Sequence, residues 1–189
     1  HYKNLKFFEK HFKNKIILVE KPLFEKYRYL KIKNNLVYLG YNMRFHPLLE
    51  IIKKEIKYKK IWFANAFCGS FLPSWRKNID YSKSYSGKKK QGGGVILDLS
   101  HEFDYLTWIF GKLKPKTFLK KKLSDLKINT EDFFTLNGFI KKINVQIDLN
   151  YITKESIRRL IIGGKDFSIN ADLVKNFMQL NYKKSKKIF

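Results

Sequence analysis

Apolar positions recur at helical spacing in some stretches of the chain and run unbroken in others, and the two patterns predict its elements. Leu5, Phe8 and Phe12 predict a helix over 2–12. Ile16-Ile17-Leu18-Val19 is a continuous, β-branched run, the pattern of a strand buried on both faces of a parallel sheet. It stops at Glu20-Lys21-Pro22, where proline cannot donate to a ladder. Residues 36–41 predict a second such strand, and Leu48, Leu49, Ile51, Ile52 and Ile56 predict a helix over 47–56. Helix, strand, connection and strand in this order form the closing part of a doubly wound α/β unit.

Beyond Lys60 the pattern changes. Residues 61–71 read as a strand, and 80–94 as a loop rich in Tyr, Ser, Lys and Gly. Leu99, Phe103, Leu106 and Phe110 fall on one stripe and predict a single helix over 95–110, with Gly111 at its C-terminal end. Strands are predicted over 117–123, 133–140, 143–151, 158–162 and 167–171, with Gly138 and Gly163-Gly164 at or near turns. Short connections between them imply a largely antiparallel sheet.

Composition alters this picture little. The 189 residues hold 40 Lys+Arg against 16 Asp+Glu, a net charge of +24. The excess is 35 Lys to 5 Arg, alongside 20 Ile, 17 Phe and 14 Asn but only 3 Ala. Codons rich in A and T explain that set without a polyanionic partner, and nucleic-acid readers favour the Arg fork. No nucleic-acid partner is therefore expected. The lysine runs at 88–90, 120–122 and 183–187 are expected to be solvated loops or strand edges, the last of them frayed. The longest charge-free stretch, 61–75, is too short and too polar to span a bilayer. The single cysteine, Cys68, excludes an internal disulfide framework and a Cys-based zinc site. The expectation is a folded, cytoplasmic protein with no membrane partner and no metal.

Three segments carry candidate chemistry. Glu20-Lys21-Pro22 sits at the carboxyl end of a strand, where open α/β sheets bind ligands, and desolvation there lowers a lysine pKa toward general acid/base use. In the run from Gly92 to Tyr105, helical geometry would place Asp98, His101 and Tyr105 on one face as a proton-handling or hydroxyl-binding set. The glycines before them would let backbone N–H groups approach an anion or polar ligand. The third segment is Gly40-Tyr41-Asn42-Met43-Arg44-Phe45-His46-Pro47 together with Ser74-Trp75-Arg76. Arg44 and Arg76 are two of five arginines in a chain that otherwise selects lysine, which points to a need for the planar guanidinium.

In order and spacing these segments resemble the glucose–fructose oxidoreductase / inositol dehydrogenase (Gfo/Idh/MocA) family of NAD(P)-dependent oxidoreductases. The resemblance implies an α/β fold: the C-terminal part of a Rossmann-type parallel sheet over 1–57, followed over 58–189 by a substrate and oligomerisation α+β domain. That second domain would be a largely antiparallel open sheet with one active-site helix, its free face making a homo-oligomer. By the same resemblance Lys21, Asp98 and His101 would be catalytic, with Lys21 moving the proton of the substrate hydroxyl. Glu20, Lys21, Pro22, Asn42, Arg44, Trp75 and Arg76 would line the cofactor side, and His101, Asp104 and Tyr105 the substrate side. The cofactor would be NAD or NADP, and the substrate a sugar, sugar nucleotide or cyclitol. The alternative is a non-catalytic sugar- or cofactor-binding protein of the same fold.

The chain departs from the family pattern in several respects: the connection between Pro22 and Leu36 is too short for the usual full helix, and the second domain, 58–189, is expected to be incomplete at its C-terminus. Asp98 and His101 are three residues apart rather than four, which leaves open whether Asp98 or Asp104 faces the substrate. There is no Gly-x-Gly-x-x-Gly, and His1 resembles the residue that opens the helix before the Glu-Lys-Pro strand. The chain is therefore expected to be an internal fragment of a longer enzyme, inactive alone, with 1–57 its weakest region.

Overall fold

A computed structural model describes residues 2–24, 28–183 and 185–189, so His1 and its resemblance lie outside the described residues. The first part is helix α1 (Tyr2–His11) beside a two-stranded parallel sheet of β1 (Ile16–Val19) and β2 (Leu36–Leu39), in register from Ile16↔Leu36. Glu9 ties the helix to the second strand's approach. Its carboxylate accepts from the backbone N–H of Lys33 (2.6 Å) and Asn34 (2.7 Å) and from Asn35 Nδ2 (2.9 Å). Those bonds, that from Asn35 foremost, hold its pKa below the usual carboxylate range.

Helix α2 (Pro47–Glu55) begins where Pro47 presets the first helical turn and His46 caps it. His46 Nδ1 accepts from the Leu48 N–H (3.2 Å), so Nε2 carries the proton and donates to the Leu173 carbonyl (3.0 Å). One histidine thus starts the helix and pins it to the large sheet. Leu48, Leu49, Ile52 and Ile56 lie in the core beneath that sheet.

The large sheet has eight strands: β3 (Ile61–Gly69), β4 (Leu113–Lys121), β5 (Phe133–Ile140), β6 (Ile143–Asn150), β7 (Ile157–Gly164), β8 (Phe167–Asp172), β9 (Phe177–Tyr182) and β10 (Ser185–Ile188). Their order is β10-β9-β8-β7-β3-β6-β5-β4, and every pairing is antiparallel except β3 with β6. That parallel pair arises because the chain leaves β3, crosses through the helical segment to the far edge at β4, and works back inward through β5 to β6 beside its starting strand. Alternation along each strand buries one face: Ala64, Ala66 and Cys68 on β3, Val145, Ile147 and Leu149 on β6, Leu160 and Ile162 on β7. The opposite face mixes polar positions, among them Asn65, Asn137, Gln146 and Asn170, with half-buried apolar ones such as Phe63, Phe67 and Ile161, and is left open. The α/β architecture with a large, mostly antiparallel open sheet is as the sequence reading has it.

Four local expectations are corrected. Ile16–Val19 is not buried on both faces: Ile16 is 78% and Leu18 72% exposed, because no layer covers that side. The lysine tail is not frayed, since Ser185–Ile188 pairs along β9 as an edge strand, where lysines are tolerated because they face water. Nor is β9 itself anticipated by the pattern, although Met178 and Leu180 alternate into the core. Finally, the active-site helix is two helices, α3 (Val95–Asp98) and α4 (His101–Phe110). Ser100 donates from its hydroxyl to the Leu97 carbonyl (2.9 Å), a local bond that competes with the helical ladder. No described helix is long and apolar enough to cross a membrane.

Candidate active site

The site forms where the end of β1 meets the α3–α4 break. Lys21 follows β1 directly, and its Nζ donates to the Asp98 carbonyl at the end of α3. Burial pushes the Lys21 pKa down; Asp98 opposes that shift, and the nearby Arg158 guanidinium adds to it. Lys21 lines a cleft of about 790 Å3 together with Glu20, Pro22, Tyr85, Gln91 and Gly92.

The Asp98 carboxylate engages Tyr151. Oδ2 accepts from the Tyr151 hydroxyl at 2.5 Å, and Oδ1 has no partner. Burial first and the Asp98 charge second push the Tyr151 pKa above its ordinary value, so the phenol stays a donor; the same two causes raise Tyr85. His101 packs edge-on against Tyr41 with ring centroids 5.6 Å apart, and its Nδ1 is buried without a partner. Burial, then the charges of Lys21 and Arg158, lower its pKa to about 4. The imidazole is therefore neutral at pH 7 and offers a hydrogen bond rather than a charge.

Beneath His101 lies a buried ion pair. Arg158 on β7 donates from Nε to Glu102 Oε1 at 2.8 Å, and Glu102 is fully buried. Burial pushes the Glu102 pKa up while Arg158 pulls it down. For Arg158, burial is the largest influence and works against the charge, but Glu102 together with Cys68 and Tyr105 outweighs it and the pKa stays above its ordinary value. The buried side-chain atoms without a hydrogen-bond partner among the described residues are Asp98 Oδ1, His101 Nδ1, Glu102 Oε2 and the Tyr105 hydroxyl. All belong to one eight-residue stretch, and unsatisfied polar groups so concentrated mark a functional region.

The predicted residues divide accordingly. Lys21, Asp98 and His101 come together, and Glu20 and Pro22 line the Lys21 cleft. Tyr105 does not join them: the helix break rotates α4, and Tyr105 is fully buried in the core. Asp104 is held by Arg44, whose Nε and Nη2 reach its two oxygens at 2.8 and 2.5 Å. Arg44 is thus an ion-pair partner, with Asn42 exposed in the same turn. Trp75 donates to Ser70 Oγ (2.9 Å) and packs edge-on against Tyr151, while the Arg76 guanidinium lies 5.8 Å from the Tyr85 ring centroid.

The glycines also differ from expectation. The N–H groups of residues 92–95 donate to the carbonyls of Lys89, Lys88, Ser86 and Glu131, so none is free for an anion. Gly94 adopts φ +119°, and a Cβ on Gly93 would lie 2.1 Å from the Tyr85 carbonyl oxygen. These glycines let the 85–86 loop close onto α3. Residues given no role by the sequence reading are Tyr151, Glu102 and Arg158. Arg158 carried a signal as another arginine in a lysine-selecting chain, and Glu102 lies within the Gly92–Tyr105 run.

Residues 66–186 match the model of the Gfo/Idh/MocA oxidoreductase family's C-terminal alpha/beta domain. No curated protein sequence matches the chain. Among solved structures, a candidate oxidoreductase from Thermotoga maritima is 16% identical with a TM-score of 0.80, covering 99% of this chain and 60% of its own. The WlbA dehydrogenase from Bordetella pertussis, in complex with NADH and UDP-GlcNAcA, is 17% identical with a TM-score of 0.67, covering 79% of this chain and 45% of its own. An inositol dehydrogenase homolog from Azotobacter vinelandii, complexed with NAD+, is 10% identical with a TM-score of 0.65, covering 81% and 43%. At these identities the likeness is one of fold, and the chain spans only part of each relative's length.

Proposed function

Since the chain belongs to the Gfo/Idh/MocA oxidoreductase family, we propose that the complete enzyme transfers a hydride between a nicotinamide cofactor, NAD or NADP, and a sugar, sugar-nucleotide or cyclitol hydroxyl. The observation that carries the reading is a lysine with a depressed pKa, seated on the Asp98 carbonyl beside a neutral His101 whose Nδ1 has no partner. WlbA and the inositol dehydrogenase homolog, whose structures hold NADH and NAD+, support the cofactor class.

The cleft around Lys21 has the volume and mixed lining that suit the nicotinamide end of such a cofactor, with Glu20, Lys21 and Pro22 as its wall. When bound, the nicotinamide supplies the two-electron acceptor or donor. The chain's own residues handle the proton. In the oxidising direction the substrate carbon loses a hydride, and its oxygen gives its proton to neutral Lys21; in the reducing direction Lys21 returns it. His101, uncharged at neutral pH, holds the reacting oxygen by a hydrogen bond. Asp98 fixes the carbonyl that orients Lys21, and Tyr151 fixes Asp98. Self-association through the open sheet face is part of the same proposal, and sedimentation of the complete enzyme tests it.

The deciding experiment is Lys21→Ala in the complete enzyme, with cofactor reduction followed in a single turnover. We expect a loss of about 100-fold or more, in the range of one general acid/base. Unchanged hydride transfer would show that the proton goes elsewhere.

A further inference from the structure

Helix α4 starts without the support that a continuous helix would give it. The break at Leu99–Ser100 separates it from α3, and Ser100 does not cap it, since the hydroxyl turns to the Leu97 carbonyl. Two ion pairs hold its first turn instead. Arg158 on β7 takes Glu102 from the sheet (2.8 Å), and Arg44, from the turn before α2, takes both oxygens of Asp104. At about 100° per residue, Glu102 and Asp104 stand roughly 200° apart around the helix axis, so the two pairs together fix the turn against rotation. His101 lies between them. Two of the chain's five arginines serve this one turn.

The inner pair calls for an explanation other than stability. Desolvating two charges offsets most of their attraction, so apolar side chains of similar size generally serve a core as well or better. Glu102 is fully buried, and its Oε2 has no partner among the described residues. Two further groups face the pair: Cys68, opposite Arg158 in the β3–β7 register, and Tyr105, three residues on in α4; burial keeps both protonated. The mount for Arg158 is firm, because β7 is paired on both edges and the Arg158 carbonyl accepts from the Leu173 N–H (2.7 Å). Around His101 stand Lys21 beyond β1, Arg158 on β7, Asp104 on its own helix and the ring of Tyr41, while the Asp98 carboxylate on α3 is engaged by Tyr151. Lys21 and Arg158 disfavour a proton on the imidazole, and Asp104 favours one. Glu102 thus anchors a cation that acts on the residue preceding it in the chain.

We propose that Glu102 and Arg158 are positioning residues for the proton-handling set: the pair sets the rotation of α4, and with it the aim of the His101 imidazole, and its guanidinium keeps that ring uncharged. The consequence for turnover rests on the oxidoreductase reading; the hold on His101 does not. A neutral, fixed imidazole offers a hydrogen bond to the reacting oxygen without competing with Lys21 for its proton. The pair acts through His101 and touches no reacting atom.

Titration of the His101 imidazole by NMR in the 189-residue chain tests this, with the resonance assigned by its loss in His101→Gln. The variant is the double change Glu102→Leu with Arg158→Met, which replaces the pair by apolar groups and leaves the net charge unaltered. The midpoint, about 4 in the parent, is expected to rise by at least about half a pH unit, a roughly threefold gain in proton affinity, while the urea midpoint does not fall. Should the double variant lose its fold, Arg158→Gln, which can still hydrogen-bond a protonated Glu102, carries the same expectation for His101. Arg159→Met removes a charge from the neighbouring, exposed position on β7 and should leave His101 unchanged. An unmoved His101 in the folded variant, or an equal shift in Arg159→Met, would overturn the proposal, the first by making the pair merely structural and the second by assigning the effect to diffuse charge. In the complete enzyme the double variant should slow single-turnover hydride transfer about tenfold or more, with the KM for cofactor within about twofold of the parent; unchanged transfer would overturn the role in turnover. The titration needs neither cofactor nor turnover, so its failure leaves the hydride-transfer reading standing, and the converse also holds.

Discussion

The two sheets of this protein are built from similar apolar runs and meet opposite fates. Ile16-Ile17-Leu18-Val19 and Leu160-Ile161-Ile162 look alike on paper. In the structure Leu160 and Ile162 are fully buried between neighbouring strands and the helical layer, whereas Leu18 is 72% exposed. The difference lies in what each strand has beside it. β7 is paired on both edges, by β3 and β8, while among the described residues β1 has only β2. A run of β-branched residues states that a strand is suited to burial; whether burial happens depends on partners far along the chain. The proposed site straddles the two regions, with Lys21 from the sparsely packed one and Asp98, His101 and Tyr151 from the dense one.

That contrast is open to direct attack. Leu160→Ala should cost about 2–5 kcal/mol, the usual range for a cavity in a packed core, whereas Leu18→Ala should stay within about 0.5 kcal/mol. Urea unfolding of the two variants checks the difference, and comparable losses would mean that β1 is covered in solution. Hydrogen exchange sharpens the same point without mutation. Amides of Ile143–Asn150 should be protected at least about 100-fold more than those of Ile16–Val19, since local opening costs little where few contacts hold a strand. Equal protection would make the first region a self-sufficient unit.

A smaller effect concerns pH. His101 has a pKa of about 4 in the folded chain against 6.5 ordinarily, so the unfolded chain takes up its proton first. Stability from this residue is therefore intact above about pH 6.5 and is lost as pH falls toward 4, by about 1–2 kcal/mol once partial solvent access is allowed for. Urea midpoints at pH 7 and 4.5 for the parent and His101→Gln measure it, and an imidazole resonance titrating near 6.5 would contradict the burial on which it depends. The smallest effect is expected from Arg44→Ala, which removes a bidentate pair with Asp104 joining the two regions. With Arg44 44% exposed, the loss should be about 0.5–1 kcal/mol and should shrink in salt. A larger, salt-independent loss would show that the regions are held together chiefly by this contact.

Much of the site was legible because it rests on local chemistry. A proline ends β1 and places Lys21 at its mouth, and Asp98 and His101 sit within one short helical segment, so sequence order alone brings them near. Helical phase was the step that failed. The helix breaks at Leu99–Ser100, where the Ser100 hydroxyl bonds the Leu97 carbonyl, and with the phase lost, Tyr105 enters the core while Asp104 turns to Arg44. The hydrogen-bond competition at Ser100 involves a difference too small for an apolar pattern to register.

The residues determined on their own most of the helix and strand segments, the α/β class and the Lys21 strand end, because each depends on neighbours a few positions away. Only the tertiary structure decided that β3 and β6 run parallel, that Tyr151 steadies Asp98, and that Arg158 reaches Glu102 across 56 residues. Such pairings depend on which distant strands share a sheet and on how buried polar groups find partners. Those are properties of three-dimensional adjacency, and periodicity along a chain does not encode them.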